Sequence, residues 1–134
     1  MSGLEHLAVW TRDLERLRAF YERYLGARAG TRYANPGKQF ESYFLSFDAG
    51  GARLELMRVP DLAAAEAGRR VGLAHLAFVV GTPADVDALT ARVASDGFAV
   101  ADGPRWTGDG YYESVVLDPD GNRVELTAEQ VNGR

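Results

Sequence analysis

Apolar and polar positions alternate along this chain in two blocks that run through the same order. The first block opens on Leu4-Glu5-His6-Leu7-Ala8-Val9-Trp10, a period-2 run that predicts a half-buried strand over residues 4–10. Thr11 and Asp13 are capping candidates for a helix running to about Leu25, with Gly26 as its stop. Within it Leu14, Leu17, Phe20, Tyr21 and Tyr24 recur at three- and four-residue spacings and form one apolar stripe. A strand near 28–33 and a loop around Asn35-Pro36-Gly37 follow. Ser42 to Phe47 and Arg53 to Val59 then read as a hairpin around Asp48-Ala49-Gly50-Gly51.

Residues 60–71, rich in alanine and charge, read as a linker that is either a short helix or an exposed connection. The second block then repeats the first. Leu73 to Val80 is a strand, and Thr82-Pro83-Ala84-Asp85 starts a helix with a cap, a proline in the first turn and an acid at the third position. Val86, Leu89 and Val93 mark its buried face and Gly97 ends it. Phe98 to Asp102 is a short strand. Residues 111–117 and 122–128 form a hairpin around Asp118-Pro119-Asp120-Gly121.

The order is β-α-β-β-β, twice. This predicts an α+β fold, one domain over 1–134 made of a module at 3–59, the linker at 60–71 and a module at 72–128. Each unit is a small sheet with a helix on one face, and two of them can curl side by side into a curved sheet cleft. Strand register follows. His6, Ala8 and Trp10 share a face, as do Arg53, Glu55, Met57 and Val59. A three-residue bulged loop pairs Asp118 with Asn122, sets Val115 opposite Glu125, and turns Glu113 and Tyr111 to that side. The same logic in the first hairpin sets Leu45 and Tyr43 beside Glu55.

Composition adds exclusions. The 46% hydrophobic and 25% charged content is that of an ordinary globular protein. A net charge of -4 gives no reason to expect nucleic acid or an anionic membrane as partner. There is no cysteine, so disulfides and thiolate chemistry are out. No apolar run approaches the ~20 residues needed to span a bilayer, and a cytoplasmic location is expected.

The chain holds two histidines, at matched places in the two blocks: Leu4-Glu5-His6-Leu7-Ala8-Val9 and Leu73-Ala74-His75-Leu76-Ala77-Phe78. Each is followed by an acid in a later strand, Glu55 after 49 residues and Glu125 after 50. Alone, a strand histidine is more often a hydrogen-bonded core residue, and a strand glutamate a solvated one. The matched placement reverses that weighing. If all four point into one cleft, two half-buried carboxylates repel and ask for a cation. Two imidazoles and two carboxylates suit a borderline divalent metal such as nickel, zinc, cobalt or manganese. Four protein ligands leave open positions, so the site favours proton transfer next to a carbonyl, with a carboxylate as base.

The Leu-x-His-Leu-Ala strand, the paired units and the segment Leu117-Asp118-Pro119-Asp120-Gly121-Asn122-Arg123-Val124-Glu125-Leu126 resemble the vicinal oxygen chelate superfamily, which includes glyoxalase I, bleomycin resistance proteins and extradiol dioxygenases. His6, Glu55, His75 and Glu125 match the four-ligand metal set of bacterial-type glyoxalase I (lactoylglutathione lyase). The resemblance implies one divalent ion, nickel or zinc first and cobalt, manganese or iron behind them. It implies Glu125 or Glu55 as the proton-moving base, and a homodimer acting on a small α-carbonyl substrate such as a thiol adduct. Trp10, Tyr43, Met57, Tyr111, Glu113 and Thr127 would shape the pocket.

The match has departures. Trp10 and Val59 stand where glyoxalase I usually carries the arginine and asparagine that contact glutathione, and Glu113 stands at a position normally apolar. Two other readings stay open. One is a non-catalytic protein that binds a drug or metabolite, and the other is an iron-dependent extradiol-type dioxygenase, against which the fourth ligand argues.

Overall fold

The computed structural model describes residues 1–130, and within it the chain divides into two compact units, Met1–Ala67 and a second from Gly68 onward. In the first unit β1 (His6–Trp10) is followed by α1 (Leu14–Leu25), then β2 (Arg28–Ala29), β3 (Tyr33–Asn35), β4 (Phe40–Ser46) and β5 (Arg53–Arg58). The sheet runs β1-β5-β4-β2, with β3 also on β4, and β1 lies parallel to β5. In the second unit β6 (Leu76–Gly81), α2 (Pro83–Ser95), β7 (Val100–Trp106), β8 (Tyr112–Leu117) and β9 (Arg123–Ala128) give the order β6-β9-β8-β7, with β6 parallel to β9. Two mixed sheets, each with one helix, make an α+β protein of two like modules.

The helices form where the pattern predicts, and for the predicted reasons. Asp13 caps α1 by accepting from the Arg16 amide, and Gly26 closes it in the left-handed conformation. Leu14, Leu17, Phe20, Tyr21 and Tyr24 are all buried, on the same sheet side as Leu54, Leu56 and Leu45. Thr82 and Asp85 complete a reciprocal capping box at α2. Its buried stripe is Val86, Thr90 and Val93, with Leu89 only half-buried. Thr90 is tolerated inside because its hydroxyl donates to the Val86 carbonyl (2.6 Å) and shares a hydrogen bond with Ser114 (2.7 Å).

Other elements depart from the sequence reading. The strand expected near 28–33 is two short pieces, and residues 60–71 form neither helix nor strand. β6 begins at Leu76, so His75 sits just ahead of its strand. β7 runs on through Gly103-Pro104 to Trp106. It is the edge strand of its sheet, where a proline costs no ladder bond. Gly103 is required there, since a Cβ would lie 2.6 Å from the Glu113 carbonyl oxygen. No helix among the described residues is long and apolar enough to cross a membrane.

The two hairpins differ in parity. In the second, Asp118 pairs with Asn122 and Val115 lies opposite Glu125, as expected. The Asp118 carboxylate accepts from the Asp120 and Asn122 amides and so pins a three-residue loop. In the first, Leu45 pairs with Leu54 and Phe44 with Glu55. The turn closes on Gly50, whose amide donates to the Phe47 carbonyl, and both Gly50 and Gly51 have positive φ. A slip of one residue flips every side chain. Phe44 therefore lies beside Glu55, while Tyr43 and Leu45 are buried on the helix side. The expectation that Tyr43 lines a pocket is thus corrected: its hydroxyl donates to Glu15 of α1 (2.6 Å) under the Arg18 guanidinium. Replacing Tyr43 by Phe should cost about 1 kcal/mol in urea unfolding and leave the sheet face that bears Glu55 unaltered, checked by near-UV dichroism.

Candidate metal centre

Parallel pairing brings each histidine to its acid. In the first unit Ala8 lies in register with Glu55, and His6 is two residues before Ala8 on the same face. In the second unit Ala77 is in register with Glu125, and His75 is two residues before Ala77. The result is the same pair twice. His6 Nε2 lies 3.7 Å from Glu55 Oε1, and His75 Nε2 lies 2.9 Å from Glu125 Oε2. Side-chain exposures of 40% and 14% in the first pair are matched by 41% and 16% in the second, so the two sit at equivalent depth. Among the described residues, no group of three or more histidine, aspartate or glutamate side chains is placed to hold a metal ion.

The first pair has supports that the sequence did not announce. Glu5 accepts from His6 Nδ1 at 2.5 Å and is itself held by Arg53. A carboxylate on Nδ1 places the proton there and leaves the Nε2 lone pair free, the arrangement found behind metal-bound histidines. His6 and Arg53, in that order, hold the Glu5 carboxyl below its usual range. Arg53 also lies over the Phe44 ring, 4.1 Å from its centroid, and Phe44 meets the His6 ring edge-on at 5.1 Å. These contacts were illegible because neighbours in a strand point to opposite faces, whereas Glu5 lies just before β1 and is free to turn back.

Further along the same face Trp10 stands in register with Met57. Trp10 is 51% exposed and contacts Phe40 edge-on, and Phe40 in turn meets Tyr33. Phe40 and Tyr33 extend an aromatic row of which sequence reading named only Trp10. In the second unit Thr127 is buried and pairs with Glu113 in register, on the face of Glu125. Tyr111 precedes β8 and is tied by its backbone to Thr107.

Glu113 is the perturbed acid of the second unit. Burial first, then the charge and hydrogen bond of Glu125, push its carboxyl up from 4.5 to about 7, against a smaller pull from Arg105. Two neighbouring carboxylates on one half-buried face share a proton or need a cation.

The family model of the Glyoxalase/Bleomycin resistance protein/Dioxygenase superfamily matches residues 3–126. The chain belongs to that superfamily. Among solved structures, a trypanothione-dependent glyoxalase I from Leishmania major is 22% identical with a TM-score of 0.78, over 96% of this chain and 88% of that one. A glyoxylase/bleomycin resistance protein/dioxygenase domain from Frankia sp. EAN1pec is 21% identical with a TM-score of 0.81, over 97% and 99%. A glyoxalase family protein from Enterococcus faecalis is 25% identical with a TM-score of 0.75, over 92% and 95%. No curated protein matches the chain by sequence. The superfamily holds glyoxalase I enzymes, and at these identities the likeness establishes the shared fold.

The raised value of Glu113 has a sign. Between about pH 4.5 and 7 the folded metal-free chain holds this proton more tightly than the unfolded chain does, so stability falls as pH rises through that window. Glu113→Gln cannot titrate there. Its melting temperature should therefore exceed that of the parent increasingly from pH 5 to pH 7.5, measured by calorimetry on metal-free protein.

Proposed function

We propose that the protein is a divalent-metal-dependent lyase or isomerase of the glyoxalase I type, which moves a proton next to the carbonyl of a small substrate. The observation that carries this reading is the doubled histidine–glutamate pair, at one register and one depth in both units. Two pairs, from one chain or from two copies in a homodimer, make a set of two imidazoles and two carboxylates. That set suits nickel or zinc and accepts cobalt, manganese or iron.

The pair geometry fits a cation. Donor atoms each about 2.1 Å from a metal sit about 3.0 Å apart at octahedral angles and about 3.4 Å apart at tetrahedral ones. The observed separations of 2.9 and 3.7 Å bracket these values. His6, Glu55, His75 and Glu125 would hold the ion, which when bound would supply Lewis-acid polarisation of the substrate carbonyl oxygen.

The chain's own groups then divide the work. Glu125 takes the proton from the carbon beside the carbonyl and returns it to the neighbouring carbon, and Glu55 is the other acid able to do so. Glu5 keeps the His6 ring oriented. Trp10, Met57, Tyr111, Glu113 and Thr127 shape the substrate's surroundings. With Trp10 and Val59 at the positions of the usual glutathione contacts, a thiol other than glutathione is the expected carrier. The row of Trp10, Phe40 and Tyr33, exposed at Trp10 and Tyr33 and half-buried at Phe40, also favours a second reading, non-catalytic capture of a drug or metabolite.

One experiment separates them. Protein reconstituted with nickel or zinc is assayed for isomerisation of methylglyoxal–thiol adducts, across glutathione and other thiols. Turnover with one equivalent of bound metal, reduced about 100-fold or more in Glu125→Gln, is the expected outcome. Stoichiometric metal with no turnover for any thiol overturns the lyase reading and favours capture.

A further inference from the structure

Glu113 breaks the likeness between the two units. By register its counterpart in the first unit is Ser42, which pairs with Met57 as Glu113 pairs with Thr127. Ser42 is buried and uncharged, whereas Glu113 is a half-buried carboxyl on the same face as Glu125, one ladder step away. The cation nearest to it in the ladder is Arg105, directly opposite on β7. Arg105, however, donates through Nε and Nη2 to both oxygens of Asp102, at 2.9 to 3.2 Å. The backbone around Glu113 is also closely set, since Gly103 packs against its carbonyl oxygen with no room for a Cβ. A carboxylate is thus held at a defined place beside the proposed base, while its strand neighbour is engaged elsewhere.

We infer that Glu113 is a specificity-determining residue, whose carboxylate selects substrates bearing a hydrogen-bond donor beside the reacting carbonyl, an ammonium before a hydroxyl. This rests on the proposed function for the position of the substrate. With Glu125 turned to a cation, Glu113 keeps its acceptor oxygens for the ligand. A charge-assisted hydrogen bond from an ammonium is roughly twice as strong as a neutral one. A purely apolar group in the same place would strip water from the carboxylate and return no hydrogen bond. Attraction for one ligand and rejection of the other come from the same side chain.

The test uses binding, so that it does not depend on turnover. Glycine hydroxamate and acetohydroxamate share a metal-chelating head and differ by an ammonium group. Each is titrated calorimetrically into zinc-loaded full-length protein, as the parent, Glu113→Gln and Glu113→Leu. The preference for glycine hydroxamate, taken as the ratio of the two dissociation constants, should fall about tenfold in Glu113→Gln and at least as far in Glu113→Leu, with zinc stoichiometry unchanged. The isosteric Gln variant guards against a packing defect in the Leu variant. An equal ratio in all three proteins, with zinc bound, overturns the role of Glu113 and leaves the proposed function standing. A parent protein that holds no zinc or other divalent ion overturns the proposed function, and this inference with it.

Discussion

The parallel pairing of the first and last strands of each unit is the constraint on which the rest depends. Residues in register on a parallel ladder present side chains to one face, so a histidine two positions before the paired alanine lands diagonally beside the glutamate. Parallel strands cannot be joined by a tight turn and need a long connection. That connection carries a helix with a single apolar stripe, which covers one face of each sheet. On the opposite face the histidine and the glutamate meet, among aromatic and apolar neighbours such as Phe44 and Val115. Loss of the pairing would remove the core and the donor pair together.

The carboxylates on those faces are covered to a matched depth. Glu55 and Glu125 are mostly covered, at 14% and 16% exposure, while their histidines remain at about 40%. A carboxylate at that depth loses water without entering an apolar core, and only a cation, a proton or a donor nearby offsets the loss. The first unit adds orientation through Glu5 and Arg53, and the second adds a further acid through Glu113. Equal backbones therefore carry unequal surroundings.

Several of these features are legible in the residue pattern alone, for local reasons. The helix stripe, the Asp13 and Thr82 caps and the Gly26 stop depend on residues within one or two turns of each other, and all appear where the pattern puts them. The second hairpin is readable because Asp118 pins its own loop with side-chain bonds two and four residues on. The repeat of histidine and acid is visible as bare spacing. The first hairpin is not readable in this way: Gly50 and Gly51 accept several turn geometries, and a one-residue difference in loop length sends Phe44, and not Tyr43, to the side of Glu55.

The order of elements, their apolar faces and the identity of the four donor residues as a matched set thus belong to the sequence, because periodicity and spacing are properties of the chain. Which side chains touch is a property of the folded molecule: Glu5 on His6, Arg53 on Phe44, Glu113 on Glu125 and Arg105 on Asp102. Two of those contacts join residues on different strands, Arg105 and Asp102 lie three residues apart on β7, and Glu5 on His6 depends on where the strand begins. Hydrogen-bond geometry and desolvation act over a few ångströms in space, and distance along the chain does not encode them.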